Sequence, residues 1–251
     1  MSAFFSDAGA IFLREWLRYR RDRAYWIGQL LFPLAFVGLI GLGLDRVVEL
    51  PSGASYASHL ATGILALLVS SGGVGGGFTL IEDREMGFLR ALRVAPVSRA
   101  SIVLGKLAAR TLVSLALVLL LVAVLSLLTP LRLAHPAELL LAVVAVSASS
   151  VALGIALASR LRRLESFRTV SALVTVPLYL FSGIFYPVAT LPAPVRALAH
   201  LNPLTYGVDL LRYGLLGVHE LPLALSVPML LALCAGAGAI AVAAFDRASG
   251  G

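Results

Sequence analysis

Glu82-Asp83-Arg84-Glu85-Met86-Gly87-Phe88-Leu89-Arg90-Ala91-Leu92-Arg93 opens a stretch that runs on to Arg110 between two long apolar segments, and its reading decides the fold. Each of its first four ionisable residues would cost about 2.5–3.5 kcal/mol at a bilayer centre. The stretch therefore belongs in water or against a polar partner, while the segments on either side belong in a membrane. Within it Phe88, Leu89 and Leu92 share one helical face, Arg90 and Arg93 lie off that face, Pro96 stops the turn and Ser98 can cap the next helix. This pattern predicts a short amphipathic helix lying along a surface.

Working outward, the whole chain is apolar. Of its 251 residues 59% are hydrophobic and 13% charged, with a mean hydropathy of +0.95, against about 45–50% and about 25% in soluble domains. The expected class is an all-α integral membrane protein. A spanning helix needs about 20 predominantly apolar residues, and six are expected, over 26–44, 60–81, 111–129, 139–159, 169–188 and 223–245. Residues 82–110 form the large loop of one side, and 189–222 a link on the other. The net charge of +7 follows from topology rather than from a nucleic-acid-binding face, because the arginines flank apolar runs. Sixteen of the 20 basic residues fall in the N-terminus, the 82–110 loop, Arg160 to Arg168 and the C-terminal tail. Lysine and arginine accumulate on the cytoplasmic side, so both termini are expected there, in a plasma (inner) membrane, within a single transmembrane domain over 1–251.

Before the first span, residues 1–25 place Phe12, Leu13, Trp16 and Leu17 on one face and most of the arginines elsewhere, as in a helix lying in the membrane interface. No cleaved signal peptide is expected, because five arginines interrupt any apolar core there. The second span carries Ser70 to Gly77, with Gly72/Gly76 and Gly73/Gly77 in small-xxx-small spacing. Glycine costs a helix about 1 kcal/mol relative to alanine, so either close helix contact or a bend beside a conduit offsets the run. After the fifth span, Pro187, Pro192, Pro194 and Pro203 cut the chain into short pieces that lie outside or re-enter the membrane.

Ser182-Gly183-Ile184, then Leu191-Pro192, then Asn202-Pro203-Leu204-Thr205-Tyr206 with Arg212 six residues later, resemble the signature of ABC-2 type permease subunits of ATP-binding-cassette exporters. This group includes drug-resistance, polysaccharide and nodulation-factor exporters. Phe181 departs from it, where a smaller residue is usual. Asp83-Arg84-Glu85-x-Gly87, followed by Pro96, Gly105 and Lys106, is similar to the family's first intracellular loop, usually written with Glu at the Asp83 position.

The resemblance covers essentially the whole chain and implies a homodimeric permease bound to two copies of a separate ATPase, which holds ATP and Mg. No phosphate-binding G-x-x-x-x-G-K-[ST] motif occurs in this chain. The resemblance also implies that Glu82, Asp83, Arg84, Glu85, Gly87, Phe88, Leu89, Leu92 and Arg93 form the ATPase-coupling element. Arg160 to Arg168 is either a second contact or an orientation signal alone. Ser182, Gly183, Pro192, Asn202, Pro203, Tyr206 and Arg212 are the signature of the outer link. Gly72, Gly76, Tyr179, Phe181, Phe185 and Tyr186 are candidates for the substrate path, and a mostly uncharged path favours amphipathic, lipid-linked or drug-like cargo.

Two other readings remain. An intramembrane enzyme needs a nucleophile and base inside the membrane. The four histidines, His59, His135, His200 and His219, fall in or beside outer links without catalytic or metal-ligand spacing, and Ser147, Ser149 and Ser150 read as packing residues. An ATP-independent secondary carrier usually holds ionisable groups within its spans, and the expected spans hold none between their ends. With a lone Cys234, no disulfide or cysteine-based metal site is expected.

Overall fold

A computed structural model of the chain describes residues 2–86, 99–161 and 163–249. The expected amphipathic helix, with Gly87, Phe88, Leu89, Leu92, Arg93, Pro96 and Ser98, lies outside the described residues, as does Arg162. Among the described residues every regular element is helical. They are α1 (Ser2–Arg21), α2 (Arg23–Leu44), α3 (Tyr56–Glu85), α4 (Arg99–Leu125), α5 (Pro136–Arg160), α6 (Leu164–Leu180), α7 (Ala193–Leu201), α8 (Pro203–Leu216) and α9 (Leu223–Ser249). Five of these, α2, α3, α4, α5 and α9, are long and apolar enough to cross a membrane.

Helix α5 is the central post, packed against α3, α9, α8, α4 and α6. Its contact with α3 is close because the glycine run meets small residues. A Cβ on Gly73 would strike Ser150, one on Gly77 would strike the Gly154 carbonyl and the Phe167 ring, and one on Gly154 would strike the Val74 carbonyl. Close helix contact thus accounts for this part of the run. Ser70 and Ser150 add a hydrogen bond at 3.0 Å, and Ser147 receives one from Thr111 at 3.3 Å. One apolar core gathers Leu60, Ile64, Leu121, Val143, Val146, Leu211 and Leu215, and a second gathers Val74, Ile81, Val151, Ile155 and Phe167 towards the other end.

Several helix ends differ from the sequence expectation, each for a local reason. Helix α3 begins at Tyr56 rather than 60, because the Ser55 hydroxyl accepts the Ser58 N–H at 3.2 Å and Asp45 accepts the Ala57 N–H at 2.8 Å. It also continues through Glu85, so Glu82 to Glu85 ride its last turn rather than a loop. At 30 residues it is about 45 Å long, more than the ~30 Å hydrocarbon core requires. Helix α4 begins at Arg99, directly after the residue read as a cap and twelve residues ahead of the expected span, and so carries Lys106 and Arg110 in an apolar helix. Lys106 and Arg110 precede the expected span 111–129 on the same helix.

The expected fifth span, 169–188, is the largest departure. Helix α6 starts at Leu164 and stops at Leu180, because Ser182 and Gly183 turn the chain and Gly183 has φ +77°. Its 17 residues reach about 25 Å. The start at Leu164 also moves Glu165, Phe167 and Arg168 from the expected loop into the helix. Between Gly183 and α9 come a 3₁₀ turn at Val188–Thr190, then α7 and α8. Proline at the start of α7 and α8 suits first-turn positions that have no intrahelical N–H bond to lose. The prolines thus divide this segment into short helices, of which α8 is buried among α3, α5 and α9.

Candidate functional site

At one end of the bundle α1 lies across α4. Gly105 makes this possible, since a Cβ there would strike the Ala8 carbonyl and the Ile11 side chain. The docked stripe is Ala8, Ile11 and Glu15, in i, i+3, i+7 spacing, with Ile11 and Glu15 buried. The predicted apolar face is only partly used, and Leu13 is 52% exposed.

Glu15 is buried because Lys106 lies opposite, its Nζ 2.8 Å from Glu15 Oε1. The same ammonium donates to Asp83 Oδ2 at 2.7 Å and to the Thr79 hydroxyl at 3.1 Å, and Arg14 donates to Asp83 Oδ1 at 2.5 Å. All three ammonium protons of Lys106 are thus matched to acceptors. Arg18 pairs with Glu82 at 2.5 Å, and Arg84 donates to the Leu161 carbonyl at 3.2 Å. The four charged residues Glu82 to Glu85 are thus placed differently from one another. Asp83 is 1% exposed and engaged with Lys106 and Arg14, whereas Glu85 and Met86 are exposed at the helix end. Sequence reasoning missed Glu15; its one visible signal was an acidic residue on the apolar stripe of Ala8 and Ile11.

The signature residues meet at the opposite end. Asn202 caps α8 by accepting the Leu204 N–H at 3.0 Å, while its amide donates to the Leu178 carbonyl at 2.6 Å. Thr205 donates to the Ala199 and Phe181 carbonyls, Tyr206 to His200 at 2.7 Å, and Ser182 to Tyr179 at 2.8 Å. Pro192 precedes α7 and Pro203 opens α8. Arg212 is 4% exposed and donates to the Gly183 carbonyl at 2.9 Å, to Glu220 at 3.0 Å and to His59 Nε2 at 3.2 Å. With its Nε2 accepting, His59 carries its proton on Nδ1. Asp209 accepts the Glu220 N–H at 2.7 Å. Burial pushes the Asp209 carboxyl above its ordinary range, against that hydrogen bond and the Arg212 charge. The signature therefore ties the end of α6 to α7, α8 and α3, and its residues hold the fold at that end.

Of the six candidate path residues, Gly72 and Tyr179 line one cavity of about 580 Å³, between the α1–α2 junction, α3 and α6. The other four lie elsewhere. Gly76 packs on Val151, Phe185 sits against Phe36 with ring centroids 6.2 Å apart, Phe181 ends α6, and the Tyr186 hydroxyl donates to the Leu180 carbonyl. Among the described residues no group of histidine, cysteine and carboxylate side chains is arranged to hold a metal, and Cys234 is a half-buried free thiol.

Known proteins share this architecture's sequence pattern. The sequence model described as "ABC-2 type transporter" matches residues 7–216. The ycf38 transport permease of Pyropia yezoensis is 30% identical over 208 residues, covering 80% of this chain and 69% of the relative. Nodulation protein J of Rhizobium leguminosarum bv. viciae is 27% identical over 216 residues, covering 83% and 82%. The inner membrane transport permease YadH of Escherichia coli K12 is 37% identical over 59 residues, 24% of this chain and 23% of the relative. With its apolar helices, the chain is a multi-pass membrane protein, and it belongs to the ABC-2 type transporter family.

Proposed function

We propose that this chain is the membrane half of an ATP-driven exporter of amphipathic cargo, built from two copies of it and two copies of a separate ATP-binding-cassette ATPase that holds ATP and Mg. The observation that carries the reading is the end of α3. Glu85 and Met86 project beyond the packed bundle, while the turn just before them is fixed to α1 through Arg14 and Arg18 and to α4 through Lys106. A push on that end is resisted by ion pairs rather than absorbed by a loose loop. In this reading Glu85, Met86 and the subsequent residues through Arg93 touch the ATPase, and Asp83 positions them without touching it.

The mechanism is rigid-body coupling. Closure of the ATPase pair displaces the end of α3, and α3 passes the motion to α5 through the glycine contact and to α6, whose first turns it meets. Helix α6 serves as a short sixth membrane crossing, fifth in chain order, with both termini on the cytoplasmic side of the inner membrane. The cavity that it shares with Gly72 and Tyr179 is where cargo would sit.

Co-expression with candidate ATPase subunits, purification in nanodiscs and measurement of ATP hydrolysis test the proposal. A stable complex with hydrolysis altered by amphiphiles is expected. Glu85→Arg is expected to weaken ATPase association about tenfold or more while leaving membrane insertion unchanged; unchanged association would remove Glu85 from the interface. A well-folded chain that binds no ATPase would instead favour an ATP-independent carrier.

A further inference from the structure

Arg110 is a buried cation that the coupling cluster does not use. It lies on α4, 4% exposed, its Nε without a hydrogen-bond partner and no carboxylate within ion-pair distance among the described residues. Its guanidinium carbon sits 4.9 Å from the Tyr19 ring centre and 5.5 Å from that of Tyr25. Aromatic faces attract a cation but leave its charge uncompensated. Space for the guanidinium is built in: a Cβ on Gly72 would land on Arg110 Nη2.

The guanidinium borders the cavity of about 580 Å³, a size at which small-molecule sites occur. Three arginines, Arg18, Arg110 and Arg168, meet one acid there, Asp22. Arg18 is already paired with Glu82, and one Asp22 oxygen accepts the Tyr25 N–H. Tyr25 Oη and Gln29 Oε1 are two further buried atoms on this wall without a partner, and the Tyr25 hydroxyl can donate to an anion. Val74, Phe78, Phe167 and Ala172 give the wall an apolar part, and the hydroxyls of Ser71, Thr79, Ser171 and Thr175 a polar one.

We propose that this cavity binds a phosphate-bearing anion, with Arg110 as its principal ligand. Guanidinium matches phosphate bidentately, and the apolar wall beside the interfacial helix suits the head and upper chain of an anionic lipid. The same chemistry would accept a free phosphate. This is the cavity assigned to cargo above, and the proposal rests on that reading for the use of the site; the anion-binding geometry itself is tested by lipid binding without the ATPase.

The test uses the full chain in phosphatidylcholine nanodiscs, on a Trp16→Phe background that leaves Trp26 as reporter, its indole N–H donating to the Tyr19 carbonyl at 2.9 Å beside the site. Brominated phosphatidylglycerol should quench Trp26 saturably at low mole fraction, and brominated phosphatidylcholine should not. Arg110→Gln should raise the half-saturating fraction about tenfold or more, and Arg110→Lys should fall between. Arg110→Gln should also melt no lower than its parent, since it removes an uncompensated charge, and should lose the phosphatidylglycerol-dependent rise in melting temperature. Inorganic phosphate or glycerol phosphate that abolishes the quenching would make the occupant a free phosphate; no competition would make it the lipid. Equal quenching by the two brominated lipids, unchanged binding in Arg110→Gln, or a melting temperature lowered by Arg110→Gln without loss of the lipid response would overturn the proposal.

Discussion

Lys106 shows how a charge persists inside an apolar bundle. Its ammonium and the two carboxylates it meets are each almost fully buried, so their mutual contacts must offset a desolvation penalty of several kcal/mol per ion. Such a cluster is fragile to partial removal and tolerant of complete replacement. Lys106→Met leaves Glu15 and Asp83 facing one another, and is expected to cost about 3 kcal/mol or more, roughly 6–12 °C in melting temperature for a chain of this size. The triple change Glu15→Gln, Asp83→Asn, Lys106→Met should recover most of that loss in a detergent melting series. A triple variant as unstable as the single one would mean that the ion pairs orient α1 in a way neutral side chains cannot. None of this was legible locally. Glu15 and Lys106 are 91 positions apart, and a count of basic residues per side records Lys106 as a topology signal without revealing its partner.

At the scale of elements, most helices were legible because membrane spans announce themselves by length and apolarity, whereas their ends were not. Ends depend on what charged residues find nearby. Helix α3 carries Glu82 to Glu85 because α1 and α4 supply partners, and α6 stops early because Gly183 adopts a left-handed turn that Arg212 and Asn202 then secure. The glycine run was legible as a packing device but not as to which glycine packs. Gly77 faces the Gly154 carbonyl, whereas Gly75 has nothing within 4 Å of where a Cβ would stand. The two should respond with opposite sign. Gly77→Ala is expected to lower stability by about 1–3 kcal/mol through overpacking, and Gly75→Ala to leave it unchanged or raise it by up to about 1 kcal/mol through helix propensity. Parallel thermal melts of the two variants decide the matter; a shift of the same sign in both would mean that α3 and α5 do not touch at Gly154.

For the molecule as a whole, α3 is a strut held at both ends. Its start is tied by His59 to Arg212 and by Tyr56 to the Phe185 carbonyl, and its end by Asp83 and Glu82 to α1 and α4. Helix α1 thus has a mechanical part, which its arginine content and amphipathic pattern did not disclose. Gly105→Val tests that part, because its side chain would occupy the place of Ile11 and the Ala8 carbonyl and lift α1 from α4. Arg14, Arg18, Arg20 and Arg21 make α1 a ready trypsin substrate once undocked, and cleavage of a transiently opened segment follows its open population. An overpacking cost near 1.4 kcal/mol would speed trypsin cleavage there roughly tenfold. Membrane insertion and the α3–α5 contact should persist, since neither involves α1. Unchanged proteolysis would show that the ion pairs of Glu15 and Arg18 hold α1 without the Gly105 contact. Where the proposed ATPase complex forms, rapid proteolysis with unaltered ATP hydrolysis would remove α1 from the proposed coupling through the end of α3.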